Sequence, residues 1–125
     1  MMLSIILWKK KSKMRDKKYL SMLQMARRAG KLSMGHDMAE KAIKANKATL
    51  LVFAGDASQR LEDEFSKTTQ RYCRNIQSIR ISESIDEIHM ALGYKAGVIT
   101  VDDTNFSKRI IELINQEENE YGNKD

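Results

Sequence analysis

Proline is absent from the 125 residues, cysteine and tryptophan occur once each, and glycine occurs six times. Without proline, turns must be built from Gly, Asn, Asp and Ser. A single cysteine, Cys73, excludes an internal disulfide, a CxxC redox pair and a Cys-rich zinc site. It also fits a reducing compartment, and the expected localisation is cytoplasmic. No apolar run approaches the about 20 residues of a membrane span. The stretch Met1–Trp8 is apolar but short, and Lys9, Lys10, Lys11 and Lys13 follow it, the reverse of the order in a signal peptide. An apolar tip beside lysines is also the composition of a weak interfacial anchor or docking segment. The reading taken here is a poorly ordered leader over 1–13, a single domain over 14–120 and a tail over 121–125, with no stable membrane association. Repeats and low-complexity stretches are absent. So is a phosphate loop, because Gly30-Lys31 lacks both the upstream glycine and the Ser/Thr of GxxxxGK[ST].

What is present is charge, unevenly placed. Residues 1–47 carry 13 Lys/Arg against three acids (Asp16, Asp37, Glu40), whereas residues 48–125 carry nine against 14, giving +5 overall. A polarised basic half favours an anionic partner, nucleic acid before lipid. With 42% hydrophobic and 31% charged residues the chain has the composition of a folded globular domain.

Periodicity predicts helices over about Asp16–Ala29 and Asp37–Asn46, a third marked by Leu61, Phe65, Thr68 and Tyr72, a fourth with Ile85, Ile88 and Leu92, and a last one striped by Phe106, Ile110, Leu113 and Ile114. Asp37 and Glu40, and again Ser84 and Glu87, have capping-box spacing, and Ser58 is placed to cap the third helix. Strands are expected at Lys31–Met34, at Thr49–Ala54, through Ile76, Ile79 and Ile81, and at Val98–Val101. The runs TLLVFA and VITV are continuous apolar stretches, as in strands covered on both faces. Four strands alternating with five helices predict an α/β fold, a single three-layer α/β/α sandwich around a mixed sheet.

Enzyme chemistry has one candidate. Asp56, Asp102 and Asp103 each follow a buried-type strand, and in a mostly parallel sheet they would gather at one edge and could hold Mg²⁺ for a phosphoryl or phosphoester reaction. The competing reading, preferred here, is that they form turns and helix caps. His36 and His89 are too isolated to form a metal site or triad, Cys73 reads as packed, and the methionines read as core filler or contact surface. No enzyme activity, metal or cofactor is expected.

The densest segment is Ala26–Lys44, ARRAGKLSMGHDMAEKAIK, with Arg27, Arg28, Lys31, Lys41 and Lys44 around a glycine-led helix start. Unpaired N–H groups and the positive dipole end of a helix attract phosphate. Gly35 removes a side chain where another backbone must approach. Asp37 and Glu40 count the other way, since carboxylates oppose phosphate.

The residues ARRAGKL, Gly35, Lys41 and the strand ending in Asp56-Ala57-Ser58 resemble the YlxQ-like bacterial branch of a ribosomal protein family, typified by the large-subunit proteins seven-Ae and thirty-e. The likeness spans about Arg15 to Glu117. It implies a single α/β/α sandwich without a catalytic site that binds kink-turn RNA in ribosomes or RNA-processing particles. The family's motif GK[VL]xxGxNExxK becomes Gly30-Lys31-Leu32-Ser33-Met34-Gly35-His36-Asp37-Met38-Ala39-Glu40-Lys41. Asp37-Met38 therefore replaces the Asn-Glu pair that meets the G·A bases; ionised Asp only accepts hydrogen bonds, and Met offers packing alone. The resemblance implies a second contact from the turn Gly93-Tyr94-Lys95-Ala96-Gly97, where Tyr94 would stack on a base and Lys95 reach phosphate. The expected RNA-binding residues are Arg28, Lys31, Gly35, His36, Asp37, Met38, Lys41, Lys44, Tyr94 and Lys95. The expected partner is a structured, kink-turn-like RNA, ribosomal RNA foremost, bound by a monomer.

Overall fold

A computed structural model describes residues 17–122, with side chains through Glu117. The leader expected over 1–13 lies outside the described residues, and so does the helix start at Asp16. The chain order is α1 (Lys18–Arg28), β1 (Leu32–Met34), α2 (His36–Lys44), β2 (Leu50–Phe53), α3 (Gln59–Tyr72), β3 (Gln77–Arg80), α4 (Ile85–Leu92), β4 (Val98–Val101) and α5 (Thr104–Gly122). All four strands form one sheet in the order β1-β4-β2-β3. α1 packs with α4 and α5, while α2 packs with α3. The result is the expected α/β/α sandwich.

The two continuous apolar runs become the central strands. Every residue of β2 and β4 is buried, because helices cover both faces and strands flank both edges. Each large aliphatic side chain fully buried there contributes about 1.5–3 kcal/mol. β3 is an edge strand with Gln77, Ser78 and Arg80 exposed, and that polar rim discourages pairing with another chain.

Strand direction corrects one expectation. β2 pairs in parallel with β3, but β4 is antiparallel to both β1 and β2, with Leu50 opposite Val101 and Phe53 opposite Val98. The residues following β2 and those following β4 therefore leave the sheet at opposite ends. Asp56 stands at one end and Asp102-Asp103 at the other, so the three carboxylates form no common site. Each has a structural task instead. The Asp56 carboxylate accepts from the Ile85 N–H at 2.9 Å. Asp102 accepts from the hydroxyls of Ser33 (2.6 Å) and Thr100 (2.9 Å). Asp103 accepts from the Phe106 N–H at 2.9 Å, capping α5.

The Ser58 cap and the Ser84–Glu87 capping box form as expected, but the box expected at Asp37 and Glu40 does not. The Ala39 N–H donates to the Gly35 carbonyl at 2.9 Å, which starts α2 at His36 with Gly35 in the capping position. Asp37 thus lies inside the first turn, where its charge still favours the helix dipole.

α1 is tied to the β3–α4 connection by a buried carboxylate. Glu83, 2% exposed, accepts from the Tyr19 hydroxyl at 2.5 Å and from Lys17 Nζ at 2.8 Å. Burial first, and then this bond to Glu83, push the Tyr19 phenol far above its ordinary pKa. The Cys73 thiol is raised as well, by burial, and donates to Asn46 Oδ1 at 3.0 Å. It is a packed thiol, as expected.

Candidate nucleic-acid interface

One end of the sheet gathers the segments with the most chemistry. The Gly35 N–H donates to the Val98 carbonyl at 2.9 Å, and the Ala54 N–H donates to the Gly97 carbonyl at 3.0 Å. These two bonds seat the turn between α4 and β4 between the start of α2 and the exit of β2. Gly93 closes α4 in the left-handed conformation, φ +80°, and turns the chain outward at Tyr94. Gly35 has φ +92° and ψ 166°, a conformation open essentially to glycine alone. A Cβ there would lie 3.5 Å from the Tyr94 ring, so the tyrosine lies across the helix start.

Around this junction the first residues of α2 are open to solvent. His36, Asp37 and Met38 are exposed, and their backbone N–H groups precede the first intrahelical bond. Lys41, one turn further on, is exposed and forms no ion pair among the described residues. Lys95 Nζ lies 3.3 Å from the Asp86 carboxylate, an exposed and weak pair.

His36 is held on three sides. Its Nδ1 is 3.2 Å from Asp37 Oδ1, its Nε2 bonds to Glu64, and its ring packs edge-on against Phe65 with centroids 5.3 Å apart. The bond to Glu64 raises the imidazole pKa above the ordinary histidine value, against a smaller lowering from burial. Two carboxylate neighbours, one on each ring nitrogen, suit the doubly protonated imidazolium. His36, Glu40 and Glu64 also place donor atoms within 4.8 Å of one another, the one set among the described residues close enough to hold a metal ion.

The expected residues divide between two ends of the fold. Gly35, His36, Asp37, Met38, Tyr94 and Lys95 meet at this junction, and Lys41 borders it. Lys31 lies before β1, where its carbonyl accepts from the Asp102 N–H at 2.8 Å, so it belongs to the opposite end of the sheet, and Arg28 is an exposed residue of the last turn of α1. Lys44 sits in the last turn of α2, 3.5 Å from Glu40 and 5.9 Å from the Tyr72 ring centroid. Two participants are absent from the expected contacts, although Arg27 belongs to the basic segment read from the sequence. Arg27 reaches over the α4–β4 turn, its Nη1 3.1 Å from where a Cβ on Gly93 would stand. Glu64 engages His36 from 28 residues away, a separation with no local signature.

A mixed four-stranded sheet with helices on both faces, and a glycine-led helix start packed against an aromatic turn, define an α/β/α sandwich. The chain belongs to the ribosomal protein L7Ae/L30e/S12e/Gadd45 family, whose sequence pattern matches residues 17–109. No curated protein matches it. Among solved structures it is similar to a protein of unknown function from Bacillus halodurans, at 27% identity and TM-score 0.71, covering 80% of this chain and 99% of that one. It also shares its fold with a Giardia lamblia 15.5kD RNA binding protein, at 14% identity and TM-score 0.61, covering 83% and 87%.

Proposed function

We propose that this chain is an RNA-binding protein of ribosomal type, acting in the cytoplasm as a monomer without enzymatic activity. Its ligand is a structured, kink-turn-like RNA of the ribosome or a translation-related particle. Family membership supports the ribosomal-type reading. The observation that carries the placement is Tyr94 lying across Gly35, which unites the two segments expected to touch RNA. In this reading the open N–H groups of α2 and the side chains of Lys41, Arg27 and Lys95 meet phosphate. Tyr94 stacks on an unpaired base, and His36, Asp37 and Met38 face base edges.

In its protonated form, favoured by Glu64, His36 adds a cation at a helix start that also carries Asp37, Glu40 and Glu64. Asp37 accepts from guanine N1 and N2 or from an exocyclic amine, and Met38 packs against a base.

A salt-series titration tests this, with a kink-turn RNA set against the same stem after its G·A pairs are changed to Watson–Crick pairs. Tighter binding of the kink-turn at every salt concentration is expected. Equal, steeply salt-dependent affinity for both would leave only phosphate attraction and reject kink-turn recognition.

A further inference from the structure

The layer formed by α2 and α3 has a second end. His36 meets Glu64 and Phe65 near the start of α2, and Lys44 meets Tyr72 at its finish, so the helices run side by side in the same direction. Acids come before most of the cations in both. α2 opens with Asp37 and Glu40 and closes with Lys41 and Lys44, followed by Lys47; α3 has Arg60 and then Glu62, Asp63 and Glu64 in its first half and closes with Lys67 and Arg71, followed by Arg74. Cations in a last turn offset the helix dipole, which explains one or two of them. It does not explain why they surround an aromatic ring. Tyr72 is 42% exposed, with Lys44 Nζ 5.9 Å and the Arg71 guanidinium 5.7 Å from its centroid.

Beside that ring is a recess of about 440 Å³ lined by Asn46, Thr49, Tyr72, Arg74 and Asn75 among others. This is within the size range of small-molecule sites. Asn46 holds the left-handed conformation, φ 58°, as the chain leaves α2. Its Oδ1 accepts from Cys73, which leaves its amide nitrogen as a donor at the recess wall. Asn75 adds a second side-chain amide.

We propose that this recess binds an unpaired nucleotide of an RNA strand. The base stacks on Tyr72 and meets the amides of Asn46 and Asn75, while Lys44, Arg71 and Arg74 hold the flanking phosphates. Amides both donate and accept, so the site tolerates any base. The ligand class rests on the RNA-binding reading given above, but the residues are separate from the Gly35–Tyr94 junction. The nine residues of α2 set the two places about 12 Å apart along the helix, close enough for one RNA to reach both.

The test uses the full chain and two 5′-fluorescein-labelled RNA hexamers, hexaadenylate and hexauridylate, followed by anisotropy at low salt. Both hexamers are expected to bind. Tyr72→Ala should weaken binding about 5-fold or more, and Tyr72→Phe should retain it. Arg71→Gln should reduce the slope of log affinity against log salt by about 0.7, the loss of one single-strand phosphate contact. Tyr94→Ala should weaken the kink-turn complex. Failure of the wild-type protein to bind either hexamer would overturn the proposal. So would wild-type affinity in Tyr72→Ala, or displacement of the hexamers by a decaglutamate peptide at equal concentration, which would reduce the patch to bare charge. A kink-turn titration without preference, beside intact hexamer binding, would reject the junction and leave this recess standing.

Discussion

Tyr94 lies across Gly35: a Cβ on the glycine would meet the ring Cε1 at 3.5 Å and the hydroxyl at 3.6 Å. Those are ordinary contact distances, so the tyrosine does not forbid a side chain at Gly35. The backbone does, because φ +92° with ψ 166° is a conformation that L side chains rarely adopt.

Gly35→Ala is therefore expected to destabilise the fold by about 1–3 kcal/mol through strain rather than collision. Urea unfolding with an unchanged slope and a lowered midpoint would record it. A midpoint equal to the wild type would contradict the positive φ.

Asp37→Asn should tighten binding of a kink-turn RNA. The change removes a negative charge facing phosphate and restores a side chain that donates as well as accepts. Its carboxylate caps no helix, because Gly35 occupies that position, so the stability cost should be limited to the about 0.3–1 kcal/mol of a first-turn charge on the helix dipole. Titration of both proteins against one RNA checks this; unchanged affinity would place Asp37 away from the bases.

His36 should titrate above its ordinary value, because Glu64, and less strongly Asp37, bond to the protonated ring. A pKa raised on folding gives stability that is fully present below the unfolded value of 6.5 and is lost as pH rises through the higher folded value. RNA affinity should fall over the same interval, since the imidazolium is a cation at the helix start. Following the ring proton of His36 by NMR, with Glu64→Gln bringing the midpoint down, tests both statements. A midpoint unmoved in Glu64→Gln would break the assignment.

Legibility in the sequence followed the range of the interactions. The runs Thr49–Ala54 and Val98–Val101 announced buried central strands because burial on both faces leaves an unbroken apolar record. Ser58 and the Ser84–Glu87 pair were legible because a cap acts within one helical turn. Strand direction was not legible. Apolar content is the same for either direction of β4, so the assumption of a mostly parallel sheet placed Asp56 beside Asp102 when they stand at opposite ends. The false capping box at Asp37 shows a related limit: the spacing was right, but a glycine with positive φ had already started the helix two residues earlier. The Tyr94–Gly35 and His36–Glu64 contacts depend on chain topology; Gly35, His36 and Tyr94 were each flagged in the sequence, but nothing there paired them, and Glu64 carried no signal at all.

Tyr19→Phe should cost about 1–3 kcal/mol. It keeps the ring and removes only the hydroxyl that donates to buried Glu83, leaving that carboxylate short of a partner. Because the pair lies in the α1–α4 layer rather than at the Gly35–Tyr94 junction, RNA affinity at a temperature well below unfolding should be unaffected. Thermal unfolding and an RNA titration on the same preparation separate the two effects.

The most direct measurement is amide mapping by NMR of the 125-residue chain as a kink-turn RNA is added. The expected result is broadening or shift concentrated at Gly35, His36, Asp37 and Met38 and through Gly93–Gly97. Perturbation confined to the other end of the sheet, around Lys31 and Asp102, with the Gly35–Tyr94 junction silent, would contradict the placement of the RNA.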